Sequence, residues 1–252
     1  MTKASLISIK TSAEIETLAQ AGKILTGIIG ELKSYLKVGM TTGELDSRAE
    51  ELIRNAGVLP AFKGYRGFPG CICASVNDEV VHGIPGKRRL NDGDIVSVDV
   101  GIIFKGYYSD TAVTLGVGTI QPELQKLLDI TKESLYQGIR QARAGNHLSD
   151  ISHAVQKYVE KNNFSVVRDF VGHGIGSRLH EEPEIPNFGE PKQGPILKEG
   201  MVLAIEPMVN LGSWKTKIDP DGWTVRTADG SASAHFEHTI AIINDGPRIL
   251  TE

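Results

Sequence analysis

Apolar residues recur at helical spacing in two well-separated segments of the chain. The first segment follows Thr41 and Glu44, which form a capping box, and the second follows Gly145. The apolar positions are Leu45, Ala49, Leu52 and Ile53 in the first, and Ile151, Ala154, Val155, Tyr158 and Val159 in the second. A longer helix precedes each, capped by Thr11 with Glu14 in one case and begun by Pro122 in the other. The pattern predicts four helices in two pairs.

Four short apolar runs predict strands, and each has a carboxylate at one end. The runs are 95–100, 110–115, 201–205 and 237–242. Asp99 lies at the end of the first run and Asp110 opens the second. Glu206 follows the third and Glu237 opens the fourth. A turn containing Lys105-Gly106 predicts a hairpin that places Asp99 and Asp110 side by side on one face.

The two sets of helices and strands form an internal repeat. Leu90–Asp99 aligns with Leu197–Glu206, 107 residues later, and the segments that open the two short helices align at nearly the same offset. The repeat predicts an α+β fold with a pseudo-two-fold axis, in which helices cover strands that meet near the axis. We expect a single catalytic domain, 1–252, with halves at about 11–118 and 119–252. Two independent copies are the alternative, but only a short turn, Gly116–Pro122, separates the halves.

Composition and charge narrow the class of protein. Hydrophobic residues make up 40% of the 252 residues and charged residues 23%, which is typical of a soluble globular protein. A net charge of −4 gives no reason to expect nucleic-acid binding, and Lys87–Arg89 is interpreted as a solvated loop, with contact to RNA or a ribosome as the alternative. Residues 1–16 predict a strand-like segment and then a helix, without the apolar core of a signal peptide, and no apolar run is long enough for a membrane span. With Cys71 and Cys73 as reduced thiols, these features predict a cytoplasmic protein.

The paired strand carboxylates point to a metal site. An ionised carboxylate among apolar neighbours is costly unless it is paired or bound to a cation, and two close together repel. His173 lies in Gly172-His-Gly174, where it is interpreted as a fifth ligand or as a loop histidine. Four carboxylates and one imidazole balance the charge of two divalent ions, and this donor set suits Mn, Fe, Co or Zn alike.

The remaining histidines divide into two groups. His82 in Val81-His-Gly-Ile-Pro85 and His180 in Leu179-His-Glu-Glu-Pro183 are candidates for catalysis, with surface loop histidines as the alternative. His147 and His153 are expected on the surface. His235 and His238 flank Glu237, and the sequence gives neither a role.

Together these motifs resemble the type I methionine aminopeptidases, whose fold is called pita-bread. The matching motifs are His82-Gly-Ile-Pro85, Asp99-Val-Gly101, Ser109-Asp-Thr111, Gly172-His-Gly-Ile-Gly176, His180-Glu-Glu-Pro183, Ile205-Glu-Pro207 and Glu237-His-Thr-Ile240. The resemblance implies an antiparallel sheet covered by helices. It also implies removal of the initiator methionine from nascent proteins, preferentially before a small, uncharged second residue.

The resemblance assigns roles to individual residues. It implies that two divalent ions are held by Asp99, Asp110, His173, Glu206 and Glu237, and that a hydroxide bridging them attacks the first peptide bond. Glu206 would also transfer protons, His180 would stabilise the tetrahedral intermediate, and His82 would contact substrate near the scissile amide. The implied methionine pocket consists of Phe62, Tyr65, Phe68, Cys73, Leu179 and Trp223, each of which could equally be ordinary core. Phe62 stands where Cys is common and Leu179 where an aromatic residue is common.

Further implications concern ions and partners. A monovalent cation would bind near Ser97, Val100 and Ser233, with Ser97 in place of the usual Asn. The expected partners are nascent chains that begin with methionine, with the ribosome near its exit tunnel as a further candidate. No specific nucleic acid and no membrane is expected, and the protein is expected to be a monomer.

Three alternatives compete with this interpretation. A proline-type aminopeptidase or dipeptidase of the same fold would usually carry an additional N-terminal domain, whereas this sequence is expected to start at the catalytic domain. The type II methionine enzymes are disfavoured because no long insert separates Glu206 from Glu237. A pseudo-enzyme that binds proteins or RNA would have lost ligands, whereas all five are present.

Overall fold

The computed structural model describes residues 7–252, and four α-helices account for the predicted helical segments. They are α1 (Ser12–Tyr35), α2 (Thr42–Asn55), α3 (Pro122–Gln141) and α4 (Leu148–Lys161). Both predicted capping boxes are confirmed, because the side chains of Thr11 and Thr41 accept from the backbone N–H of the glutamate three residues on. The strand-like segment predicted before α1 falls partly on residues 1–6, outside the described residues, and residues 7–11 are not in a strand.

Fifteen strands, paired antiparallel throughout, form one large sheet and two small ones within the described residues. The strands are β1 (Leu59–Pro60), β2 (Ile72–Val76), β3 (Glu79–Val81), β4 (Ile95–Phe104), β5 (Tyr107–Gly116), β6 (Ser165–Val166), β7 (Gly172–Gly174), β8 (Glu181–Ile185), β9 (Val202–Ile205), β10 (Met208–Asn210), β11 (Thr216–Ile218), β12 (Val225–Thr227), β13 (Ser233–His235), β14 (Glu237–Ile243) and β15 (Gly246–Ile249). The nine-stranded sheet has the order β1-β4-β5-β14-β9-β7-β8, with β2 paired to β4 and β15 to β14. The small sheets are β13-β10-β6 and β11-β12-β3. The β5–β14 pair joins strands from the two predicted halves.

The first hairpin is longer than the sequence predicts. β4 runs to Phe104 and β5 begins at Tyr107, so Asp99 lies in the middle of its strand rather than at the end. Lys105 and Gly106 have φ of 49° and 81°, the left-handed conformation of a two-residue turn whose twist matches the paired strands. The ladder therefore continues up to the turn.

Helices cover the outer surface of the large sheet in two apolar clusters. Leu25, Leu45 and Ile53 of α1 and α2 pack with Val98 and other buried residues of the first hairpin. The second cluster joins α3 and α4 to β9 and β14 in the same way. The opposite face of the sheet is thus left for the side chains described below. No helix in residues 7–252 is long and apolar enough to cross a membrane.

Candidate metal centre and substrate pocket

The register of three strands brings carboxylates to one face of the large sheet. Ala112 of β5 is opposite both Asp99 of β4 and Glu237 of β14. Residues that are directly opposite, or two apart along a strand, point to the same side of an antiparallel sheet. Asp110, two residues before Ala112, therefore shares this face. Asp99 and Asp110 are diagonal neighbours rather than side by side, because Asp110 is opposite Gly101.

The same rule adds the remaining candidate ligands. Ala204 of β9 is opposite both His173 of β7 and Thr239 of β14. Glu237 lies two residues before Thr239, and Glu206 lies two residues after Ala204. One ligand atom from each of Asp110, His173 and Glu237 falls within 4.8 Å of the other two. The five residues thus converge on one point from both halves.

Burial makes this group of carboxylates costly without a cation. Burial, reinforced by the neighbouring carboxylates, raises the pKa of Asp110 and of Glu237 well above the usual range. Burial also raises the pKa of Asp99 to about 6 and that of Glu206 to about 8. In the described residues, Oδ1 of Asp99, Oδ1 of Asp110 and Oε1 of Glu237 are buried without a hydrogen-bond partner. Unpaired acceptor oxygens that converge in this way fit divalent cations.

The local backbone prepares His173 to be a neutral ligand. Its Nδ1 lies 2.8 Å from the carbonyl oxygen of Gly174, so Nδ1–H donates there and the lone pair of Nε2 points away. Burial and His180 lower the pKa of His173 to about 3, which keeps the ring neutral. A Cβ at Gly172 would collide with the carbonyl oxygen of Ala204, and one at Gly174 with that of Glu182. The glycines therefore allow β7 to fit between its neighbouring strands.

A cavity of about 500 Å³ opens above the metal-ligand candidates. Its lining includes every residue that the sequence analysis assigned as metal ligand, catalytic histidine or pocket wall. These residues are Asp99, Asp110, His173, Glu206, Glu237, His82, His180, Phe62, Tyr65, Phe68, Cys73, Leu179 and Trp223. The structure therefore brings the whole predicted set together, although it does not test the role of each member.

The apolar wall is formed by aromatic contacts and buried side chains. Phe68 and Trp223 meet edge to face with ring centroids 5.2 Å apart. Phe62, Cys73 and Leu179 are buried. Burial raises the pKa of the Cys73 thiol well above its usual value, so this wall carries no thiolate.

The two candidate catalytic histidines are held in different ways. His180 Nδ1 lies 2.8 Å from the hydroxyl oxygen of Tyr65, and its ring centroid is 4.4 Å from that of His173. Burial and the nearby guanidinium of Arg66 lower the pKa of His180. His82 has a left-handed backbone, with φ of 59°, and burial lowers its pKa to about 4. Both rings are therefore neutral at pH 7.

Some residues were missed or left without a role. Arg66, Arg178, Glu182 and Glu184 also line the cavity. Glu182 lies in the His180-Glu-Glu-Pro183 motif but received no role, and nothing in the sequence pattern of the other three indicates their position. His235 is fully buried behind Glu206, whereas His238 turns toward Thr251.

Other assigned residues lie away from the cavity lining. His147 and His153 are on α4 or at its start and are partly exposed. Of the residues implied for a monovalent cation, the Ser97 hydroxyl pairs with Thr114, and Ser233 donates to the carbonyl of Val209. Val100 is buried in β4, opposite Ile72 and Thr111, and the cation stays a prediction.

Comparison with known proteins agrees with this geometry. A sequence model of metallopeptidase family M24 matches residues 16–244. The chain belongs to this family. A methionine aminopeptidase from Clostridium perfringens is 55% identical over 246 residues, which cover 98% of this chain and 99% of the relative. A crystal structure of methionine aminopeptidase from Thermotoga maritima superposes with a TM-score of 0.96 at 46% identity, covering 98% of this chain and all of that one.

A more distant structure shares the fold alone. The prolidase from Pyrococcus furiosus superposes with a TM-score of 0.80 at 23% identity, over 97% of this chain and 65% of that one. Both the resemblance to the type I methionine aminopeptidases and the predicted pita-bread fold are confirmed. Membership of family M24 makes the protein a metal-dependent hydrolase of peptide bonds, in agreement with the paired carboxylates.

Proposed function

We propose that the protein removes the N-terminal methionine from nascent polypeptides whose second residue is small and uncharged. The observation that carries this proposal is a cavity with a carboxylate-rich floor directly beside an apolar wall. Such a cavity holds an apolar side chain while the first peptide bond lies over the floor. The names of relatives that cover the whole chain support methionine as the side chain.

Two divalent ions would be held by Asp99, Asp110, His173, Glu206 and Glu237. The donor set suits Co, Mn, Fe and Zn alike. When bound, they would polarise the scissile carbonyl and lower the pKa of the attacking water. The orphaned oxygens of Asp99, Asp110 and Glu237 are the atoms that fit this role.

The protein's own side chains would handle protons and orientation. Glu206, a carboxylate on the cavity floor among the other ligand candidates, would accept a proton from water and return it to the leaving amine. If the Tyr65 hydroxyl donates to Nδ1 of His180, the neutral His180 ring has its proton on Nε2 and donates to the developing oxyanion. His82, which lines the same cavity, would contact substrate near the scissile amide or its nitrogen.

The pocket wall would select the side chain. Phe68 and Trp223 line the cavity with aromatic rings that suit a thioether, and Cys73 adds a small polarisable surface. Phe62 is larger than the Cys that is common at its position, and Leu179 is smaller than the aromatic residue that is common at its position. The volume of the pocket is therefore redistributed rather than lost. We expect methionine to be retained as the substrate residue and the inhibitor profile to differ.

Peptide hydrolysis tests the proposal directly. Metal-stripped protein is reloaded separately with Mn²⁺, Fe²⁺, Co²⁺ or Zn²⁺ and incubated with Met-Gly-Met-Met and with an Ala-Pro peptide. We expect release of methionine from the first peptide with at least one metal, and no release by Asp110→Asn under the same conditions. Preferential cleavage of the Ala-Pro peptide would favour the proline-type activity, which is supported at present only by the similarity in fold to a prolidase.

Cytoplasmic location, a monomeric state and contact with the ribosome stay predictions. The pseudo-enzyme alternative is disfavoured because all five ligand candidates line the same cavity.

A further inference from the structure

The imidazole of His235 is a buried group beside the metal centre that none of the steps above uses. It ends β13, two residues before Glu237, and is 1% exposed. It does not belong to the cavity lining and so does not meet substrate. Any function of this ring must therefore act through a neighbouring side chain.

Hydrogen bonds fix the backbone of His235 to the first hairpin. Its N–H donates to Oγ1 of Thr114 over 2.8 Å, and Thr114 donates to the carbonyl oxygen of His235 over 2.8 Å. Thr114 has only one hydroxyl proton, so the Ser97 hydroxyl, 2.8 Å away, must donate to Thr114. This arrangement ties β13 to β4 and β5 and determines where the ring can lie.

The ring faces the carboxylate of Glu206. Nε2 of His235 is 3.4 Å from Oε2 of Glu206, while Nε2 of His173 is 3.5 Å from Oε1. Glu206 thus lies between two imidazoles, one for each oxygen. Nε2 of His235 is buried and has no hydrogen-bond partner among the described residues. A buried donor without an acceptor is costly, and Oε2 is close enough to become that acceptor after a shift of a few tenths of an ångström.

We propose that His235 is a positioning residue whose Nε2–H holds Oε2 of Glu206 and thereby turns Oε1 toward His173 and the metal ions. This inference rests on the metal centre of the proposed function. A ligand carboxylate that is anchored through one oxygen presents the other in a fixed direction, and loss of such an anchor typically weakens metal binding. His173 is oriented in the same manner by the carbonyl of Gly174.

Three substitutions of His235 distinguish the effect of the Nε2–H donor from the effect of the volume of the ring. The side-chain amide of Gln places an N–H near Nε2 of histidine, whereas that of Asn reaches only the position of Nδ1. Leu fills the space without a donor. Metal-stripped wild type, His235→Gln, His235→Asn and His235→Leu are titrated with Mn²⁺ by calorimetry, which does not depend on turnover.

We expect His235→Leu and His235→Asn to weaken Mn²⁺ binding by roughly 10- to 100-fold and His235→Gln to stay close to wild type. Turnover of Met-Gly-Met-Met at saturating Mn²⁺ should fall in the same order. His238→Gln is the matched control, because His238 is adjacent to Glu237 but its Nδ1 lies 2.9 Å from the Thr251 hydroxyl, away from the centre. It should keep wild-type affinity.

Two results would overturn the inference. One is wild-type Mn²⁺ affinity in a folded His235→Leu protein, judged folded by near-UV circular dichroism. The other is an equal loss in the Gln, Asn and Leu variants, which would show that the ring acts by packing alone. If His235→Leu does not fold, the Mn²⁺ affinities of His235→Gln and His235→Asn are compared, and equal affinities would overturn the inference. A failure of the proposed function would appear instead as wild-type protein that binds Mn²⁺ but releases no methionine.

Discussion

A buried ion pair links the start of the described chain to the loop that carries His180, and its removal gives a sharp test of the structure. Nζ of Lys10 lies 2.6 Å from Oε2 of Glu181, and both side chains are only 4% exposed. Oε1 of Glu181 accepts from the N–H of Arg178 at 3.1 Å and from the Ser177 hydroxyl at 3.3 Å. In Lys10→Met, these two donors remain but the cation is lost. Removing one partner of a buried pair leaves an uncompensated charge and costs about 3–5 kcal/mol in the free energy of unfolding.

The dependence on pH follows from the pKa of Glu181. Burial alone would raise this pKa, but the hydrogen bond and charge of Lys10, together with the hydrogen bonds from Arg178 and Ser177, outweigh burial and lower it. A lowered pKa in the folded state means that the wild-type contribution is present above the unfolded pKa of about 4.3 and is lost as pH falls through the folded pKa. In Lys10→Met the folded pKa is expected to rise, so stability falls as pH increases. The difference between the two proteins should therefore be larger at pH 7 than at pH 5.

Urea unfolding followed by tryptophan fluorescence measures this difference, and a double variant supplies the control. Lys10→Met with Glu181→Gln removes the charge but keeps an amide oxygen for the N–H of Arg178. We expect the double variant to recover a large part of the loss, since replacing both charges of a buried pair is far less costly than removing one. A loss below about 1 kcal/mol in Lys10→Met, the range of an exposed pair, would refute the reasoning. So would a double variant no more stable than the single one.

Three further predictions address the site itself. Gly174→Ala should weaken Mn²⁺ binding, measured by calorimetry, because the added Cβ would collide with the carbonyl oxygen of Glu182 and displace His173. Gly27→Ala is the control, because its Cβ would contact no other atom, and it should keep wild-type Mn²⁺ affinity. Equal losses of affinity in the two variants would contradict this account. Trp223→Ala should raise KM for Met-Gly-Met-Met more than it lowers kcat, because it removes a contact between the apolar wall and the methionine side chain that is made equally in the ground and transition states. A change in kcat alone would argue against a role of Trp223 in binding this side chain. Metal-stripped protein should lose stability between pH 7 and 8, because a raised carboxyl pKa confers stability at low pH that is lost as pH rises through it. Glu206, whose folded pKa burial raises to about 8, should contribute about 1 kcal/mol to this loss, and the raised pKa values of Asp110 and Glu237 add to it. Saturating Mn²⁺ should abolish that slope in urea unfolding, and an unchanged slope would contradict the metal assignment.

Local features of the fold could be predicted from the sequence because their causes are local. The capping boxes at Thr11 and Thr41 need only a glutamate three residues on, and both form as predicted. The carboxylates that share a face could be inferred from the repeat and the period of a strand. The ends of β4 could not, because most of its residues are buried on both faces and no alternation marks where pairing stops.

The unpredicted parts of the site depend on contacts between distant segments. Two histidines flank Glu237, and which one faces Glu206 depends on the break at Phe236, where β13 leaves one sheet and β14 enters another. The Lys10–Glu181 pair joins residues 171 positions apart, and no pattern around either residue indicates it. Such contacts are determined by the assembled sheet rather than by propensity.

The metal centre and the junction of the two predicted halves depend on each other. The β5–β14 ladder that joins them has only two register pairs, Glu237 with Ala112 and His238 with Thr111. Two threonines reinforce it at the ligands themselves, since Thr111 donates to the carbonyl of Glu237 over 2.6 Å and Thr239 to that of Asp110 over 2.8 Å. Without cations, this same junction forces carboxylates from both predicted halves together, and burial, reinforced by their repulsion, raises their pKa values. Ions that bind only the assembled site stabilise the folded state by mass action, so metal binding should strengthen the junction on which the site depends.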